Sequence, residues 1–375
     1  LSGRMAWGWA ALLAVGLALT ESRTSWVVVL FSVAVLVVLR KRLAISRPLI
    51  VGALGWTGVF ALFVVALPFV NVWLGRAAEL QPLRGTSSFK LRLEFWAKLW
   101  EALLQQPWSG YGWMQTSFAQ FPSDPYAMVT GGTLRHAHNL FIDLVVELGL
   151  PLGLAVCLLL GVWVISALRR VAKLEQLWML LFVIALGVHA MLEFPLHYAY
   201  FLLPFGLMLG ALNVALKFKP LLSTRLWPAV VALVLGGVGL SIAVYDYARI
   251  ESDFFTLRFE HQKLDKAGDR VAPDVIALTQ LQDMLWLARV DPSKTYAEKD
   301  LERALKTMKL LPSLMANYKL AAMYAFAGQP KQAEYWIVVL TRMNRPEERV
   351  VRDIRRQWDE QSAVFPSMAK VAWPE

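Results

Sequence analysis

The stretch TLRHAHNLFIDLVVELGLP, residues 133–151, sets two histidines, an asparagine, an aspartate and a glutamate at the mouth of an otherwise apolar run. Histidine exchanges protons near neutral pH, so His138, with His136 beside it, suits removal of a proton from an attacking hydroxyl. Asn139, Asp143 and Glu147 recur every fourth residue and on a helix form one stripe, advancing about 6 Å per step. Ionisable residues inside a membrane span cost roughly 2.5–3.5 kcal/mol each on insertion scales and face protein or an aqueous cavity. The stripe is therefore either a polar seam between helices or the lining of a reactive cavity.

Basic residues supply the complementary chemistry. Arg135 adjoins the histidines, and Arg23 lies in the tight turn ESRTSW, where a plain connector needs no guanidinium. In LRLEFWAKLWEALLQ, Phe95, Trp96, Leu99, Trp100 and Leu103 form the apolar stripe of a helix lying in a membrane interface, and Arg92 projects on the Trp96 and Leu99 side. A planar guanidinium suits bidentate contact with phosphate oxygens, while snorkelling to a lipid headgroup is the plainer use of Arg92.

The loop QPWSGYGWMQTSFAQFPSDPY mixes Gly110 and Gly112 with Trp108, Tyr111, Trp113, Phe118 and Phe121. Its glycines permit close backbone approach to a ligand, and aromatic faces such as Tyr111 pack on sugars, although Trp and Tyr also favour the interface for their own sake. HAMLEFPLHYAYFLLP places His189, Glu193 and His197 four apart, with Tyr198 following, as a second wall of the same cavity. No close His/Asp/Glu spacing of a zinc or magnesium site occurs, so neither a metal nor another cofactor is expected.

The elements that must position these groups are membrane helices. The chain is 57% hydrophobic, above the roughly 45–50% of soluble domains. Apolar segments fall at residues 5–20, 25–39, 48–74, 139–168, 177–192, 195–216 and 226–248. Arg40, Lys41, Arg42 and Arg47 follow the second, Arg169, Arg170 and Lys173 the fourth, and Lys217, Lys219 and Arg225 the sixth. Every second connection is thus basic and cytoplasmic, which puts the 75–138 loop, the Glu193 turn and the tail outside. The net charge of +10 is read the same way, as loops and membrane lipid contacts and not nucleic acid. Cys157 is the single cysteine, so there is no disulfide framework. The chain starts at Leu1 without Met, as expected of the C-terminal portion of a longer protein.

The expected fold is all-α: a polytopic transmembrane region, 1–248, and a soluble helical domain, 249–375. In the latter, YAEKDLERALKTMKLLP and SLMANYKLAAMYAFAGQPKQAEYWIVVLTRM read as paired amphipathic helices broken at Gly328-Gln329-Pro330, either a tetratricopeptide-like unit or a plain bundle.

The outward ESRTSW turn, RLEFW leading to PWSGYG, HAHN with ELG after it, and EFPLHYAYFLLPFGLMLG together resemble the O-antigen ligase and polymerase superfamily, most closely its PglL-type branch of bacterial protein O-oligosaccharyltransferases. That resemblance implies a GT-C-class glycosyltransferase of the inner membrane. It would move a glycan from undecaprenyl diphosphate to an acceptor on the periplasmic side, without nucleotide sugar or metal. His138 matches the family's essential histidine, and Arg23 and Arg92 match arginines that engage the diphosphate. Glu147 would tune the site, and Arg135, His136, Asn139, Tyr111, His197 and Tyr198 would contact substrate. The acceptor is expected to be a pilin-like protein, with lipid A-core or a growing glycan as alternatives. A transporter of lipid-linked sugars is a different class; it predicts polar groups spread through the membrane depth, whereas here they gather at one face. A noncatalytic assembly protein would leave the His138 and arginine cluster unexplained.

Overall fold

The computed structural model describes residues 3–20, 22–73, 86–220, 225–261, 270–344 and 348–374. Residues 75–85 of the expected 75–138 loop lie outside the described residues, as does the side chain of Arg23, whose backbone opens a helix. The regular structure of the described residues is helical throughout. The helices are α1 (Gly3–Leu19), α2 (Arg23–Leu39), α3 (Arg47–Trp73), α4 (Thr86–Gln105), α5 (Leu140–Arg170), α6 (Leu174–Ala190), α7 (Ala199–Ala215), α8 (Leu226–His261), α9 (Thr279–Arg289), α10 (Glu298–Leu310), α11 (Leu314–Phe326), α12 (Pro330–Met343) and α13 (Arg349–Val364).

Each of the seven apolar segments is a helix, α1–α3 and α5–α8. Within α3, α5 and α8 the segments Arg47–Leu67, Leu140–Arg170 and Leu226–Glu260 are long and apolar enough to cross a membrane, and the other four helices are shorter. At most 11% of the most apolar window in each of the three is covered by protein, so their apolar side chains face outward. In water that surface would be unfavourable; against lipid tails it is matched. The chain is a membrane protein.

The chain packs as two compact units interleaved in sequence: residues 1–96, 106–110 and 136–219 form one, and 97–105, 111–135 and 220–375 the other. In the first unit α1 packs on α3, α2 on α3 and α6, and α6 on α5 and α7. Its core joins Leu36, Leu39, Ala167, Leu177, Leu180, Ile184 and Leu212. The basic connections meet at one end of this bundle. Arg42 donates to the Leu168 carbonyl at 2.8 Å and to that of Val171, and Arg170 donates to the Lys217 carbonyl at 3.2 Å. These guanidiniums cap the C-termini of α5 and α7, where carbonyls lack partners and the helix dipole is negative.

In the second unit α10, α11 and α12 pack in succession around Leu301, Met308, Leu320, Met323, Trp336, Ile337 and Leu340. Gly328 takes φ +72° at the expected break, and Pro330 opens α12. The hydropathy boundary at 248 is no break in the backbone, because α8 continues to His261. Along it the fully buried Asp246 accepts the amides of Ile276, Ala277 and Leu278 at the start of α9. At the other end of α9, Arg289 meets Asp253 at 2.6 Å and Glu260 at 2.9 Å. A carboxylate at a helix N-terminus and a cation at its C-terminus both complement the dipole.

Candidate active site opposite the basic loops

The far end of the first unit from its basic loops is formed by the start of α5, the end of α6, the turn at Pro195–His197 and the start of α7. His138 sits there with φ +53°, a left-handed conformation uncommon for a residue with a side chain. Its neighbours impose it. The fully buried Ala137 receives the Trp96 indole N–H on its carbonyl at 2.7 Å and donates its own N–H to Asp143 at 2.8 Å. On the other side Asn139 is the N-cap of α5, accepting from the amides of Phe141 and Ile142 and donating to the Met191 carbonyl at 3.2 Å. With both flanks pinned, His138 is held in a strained backbone, the kind of outlier that concentrates at functional sites.

The side chain of His138 is fixed as well. Its Nδ1 lies 2.7 Å from Glu193 Oε2, while Glu193 Oε1 accepts from Arg92 at 2.7 Å. Arg92 also donates to the Leu192 carbonyl at 2.9 Å. Burial alone would raise the Glu193 carboxyl, but the hydrogen bonds from His138 and Arg92 and the positive charge of Arg92 outweigh it and hold the group at about 2. Arg92 is thus paired inside the protein, with about a third of its side chain exposed, and is not snorkelling alone.

His136 and His197 come together, ring centroids 4.1 Å apart, and Phe194 contacts both His136 and His138 at about 5 Å. A cavity of about 10 Å³ brings Asp143, Glu193 and His197 to one wall, room for about one water. The expected stripe divides its labour: Asn139 caps the helix, Asp143 holds Ala137, and Glu147 is buried below. Tyr198 is half-exposed at the start of α7. Arg135, exposed, and Tyr111 belong to the second unit; the Tyr111 hydroxyl donates to the Ala102 carbonyl at 3.1 Å, and burial raises its titration above the ordinary phenol range. Among the described residues no group of three or more His, Cys, Asp and Glu is placed to hold a metal ion.

Gly110 of PWSGYG and Gly149 of ELG explain each other. Gly149, at φ +77°, interrupts α5, and Leu150 then donates to the Pro107 carbonyl at 2.7 Å. A Cβ on Gly149 would lie 2.4 Å from the Trp108 carbonyl oxygen, and one on Gly110 2.5 Å from the Gly149 amide nitrogen. The close approach expected of Gly110 is to the protein's own backbone. Reasoning from sequence grouped Glu193 with His189 and His197 and did not join it to His138; the available signal was a carboxylate directly after an apolar helix, next to Phe-Pro.

Residues 9–157 match the family described as O-antigen ligase, and residues 176–350 match the virulence factor membrane-bound polymerase C-terminal family. The resemblance to the O-antigen ligase superfamily therefore holds. His138 and Arg92 fall in the first matched region and Glu193 in the second. The chain is 30% identical over 196 residues to the ComP-specific O-oligosaccharyltransferase of Acinetobacter baylyi, covering 52% of this chain and 35% of that protein. It is 25% identical over 354 residues to the General O-oligosaccharyltransferase of the same organism, covering 90% of this chain and 60% of that protein. The chain thus spans between about a third and three-fifths of the length of these curated relatives. No solved structure matches it significantly.

Proposed function

We propose that the chain carries the catalytic part of an oligosaccharyltransferase of the GT-C type, which moves a preassembled glycan from undecaprenyl diphosphate to a Ser or Thr of a pilin-like protein at the periplasmic face of the bacterial inner membrane. The observation that carries this reading is the bridge from His138 through Glu193 to Arg92, set at helix ends opposite the basic loops. Two relatives whose names are those of O-oligosaccharyltransferases support the reaction class, and the ComP-specific one supports a protein acceptor.

The chemistry follows from the tautomer. An ionised Glu193 only accepts hydrogen bonds, so the Nδ1 of a neutral His138 carries the hydrogen and Nε2 keeps its lone pair. Nε2 takes the proton of the acceptor hydroxyl as its oxygen bonds to the anomeric carbon. The bond from that carbon to the diphosphate breaks, and the diphosphate leaves with the electron pair. Arg92, with Arg23, offsets the charge developing on the diphosphate, and Glu193 positions the base as the aspartate does in a Ser-His-Asp triad. In this reading Glu147, His136, His197 and Tyr198 belong to the substrate-facing cavity, and Asn139 orders its entrance. The tail, 249–375, is a periplasmic tetratricopeptide-like platform.

The test is transfer in cells supplying a lipid-linked glycan and a pilin-like acceptor, comparing the protein with its His138→Ala form at equal levels. Pilin modification that disappears with His138 is the expected result. Glycan appearing on lipopolysaccharide instead, again lost with His138, would replace the protein acceptor by that of an O-antigen ligase or polymerase, the class to which the matched family descriptions refer.

A further inference from the structure

A run of aromatic rings leads away from the His138 bridge and has no part in it. Phe194 meets the His138 ring edge-on with centroids 5.0 Å apart and lies 5.8 Å from Tyr198; Tyr198 in turn stacks on Tyr200 at 5.3 Å with 24° between the planes. Residues two apart do not share a face within a helix. Here they meet because Tyr198 is the N-cap of α7, with extended backbone (φ −102°, ψ 126°), while Tyr200 lies in the first turn.

Two properties set this pair apart from tyrosines that merely anchor a helix at a membrane surface. Both rings are open, 42% of Tyr198 and 66% of Tyr200 being exposed, and they continue the ring contacts of the proposed general base without interruption. Among the described residues neither phenol hydroxyl hydrogen-bonds to the protein, so each is available as donor and acceptor. An apolar ring face combined with an unused hydroxyl complements a ligand that has both C–H faces and hydroxyls. A polyprenyl chain would use the ring faces and leave the hydroxyls unmatched, and a diphosphate calls for Arg92 instead.

We infer that Tyr198 and Tyr200, continued by Phe194, form a carbohydrate-binding shelf that holds the sugar rings of the glycan donor beside His138. The inference rests on the oligosaccharyltransferase reading and adds to it the place of the glycan and the residues that select for it.

Binding to the intact protein in lipid nanodiscs tests it with two probes, a polyprenyl diphosphate bearing an N-acetylhexosamine-based disaccharide and the same polyprenyl diphosphate without sugar. The Tyr198→Ala/Tyr200→Ala variant is expected to bind the sugar-bearing probe about tenfold more weakly and the bare probe as wild type does. The Tyr198→Phe/Tyr200→Phe variant, which keeps the stack, is expected to lose about threefold for the sugar-bearing probe alone. It also decides the matter should the alanine variant fail to fold. Equal losses for both probes would assign the shelf to the lipid and overturn the inference. Unchanged donor binding with a raised acceptor KM would assign it to the acceptor and overturn it too. Wild-type protein that binds neither probe would remove the oligosaccharyltransferase reading itself, an outcome distinct from a failure of the shelf alone.

Discussion

His138 Nδ1 and Glu193 Oε2 lie 2.7 Å apart across 55 residues of sequence, joining the entrance of α5 to the exit of α6. Glu193→Gln keeps the shape of that contact and removes its charge, and with it the preference for the tautomer whose Nε2 is free. Transfer should fall about a hundredfold or more, mainly in kcat, with protein levels unchanged. Glu193→Asp should recover part of the loss. A Gln variant working at the wild-type rate would remove Glu193 from the mechanism.

The same carboxyl sets a pH dependence of stability. Glu193 titrates near 4.5 when free of the fold and at about 2 within it, so the folded state binds fewer protons between those values. Its contribution is complete above about pH 4.5 and fades as pH falls toward 2. The unfolding midpoints of wild type and Glu193→Gln in detergent should therefore differ more at pH 5 than nearer pH 2 and converge in acid. A margin that grew on acidification would contradict the assignment.

The left-handed backbone of His138 separates strain from chemistry. His138→Ala and His138→Gly should both lose transfer, but glycine accepts φ +53° freely and should be the more stable of the two by about 1 kcal/mol. Thermal unfolding of the two variants reads this directly. Equal midpoints would mean that the backbone relaxes at that position.

Within α5, glycines should differ sharply in tolerance. Gly149→Ala drives a Cβ to 2.4 Å from the Trp108 carbonyl oxygen at φ +77°, whereas a Cβ at Gly161 meets nothing within 4 Å. The first substitution should cost roughly 3 kcal/mol or more and the second almost nothing. Yield and unfolding midpoint of the two proteins test the difference; a well-behaved Gly149→Ala protein would show that the α5 break moves at little cost.

The membrane helices were legible because hydropathy is a local property. The seven apolar segments each became a helix, and the segment expected at 195–216 starts late because Pro195–His197 forms a 3₁₀ turn and Tyr198 is extended. The tail helices were legible for the same reason, with Gly328 and Pro330 marking their turn. Within the α4 stripe, Phe95, Leu99 and Leu103 are buried, while Trp100 is 54% exposed, since a helix with two apolar faces has no single direction in its sequence. Least visible was the use of each polar group. Asn139 as a cap follows from its place before an apolar helix, but the hold of Asp143 on Ala137 and of Glu193 on His138 depends on side chains meeting across loops. Spacing along the chain carries no record of that.

Helix α8 runs for 36 residues, about 54 Å at about 1.5 Å per residue, against a hydrocarbon core of about 30 Å. Its far portion is gripped through Asp246 at one end of α9 and through Asp253 and Glu260 at the other. Those two anchor points make α8 a mast and not a tether. Whatever engages the helices built on α9 is met at a fixed distance along α8, and a pull on them is transmitted to α8 as torque instead of being absorbed as slack.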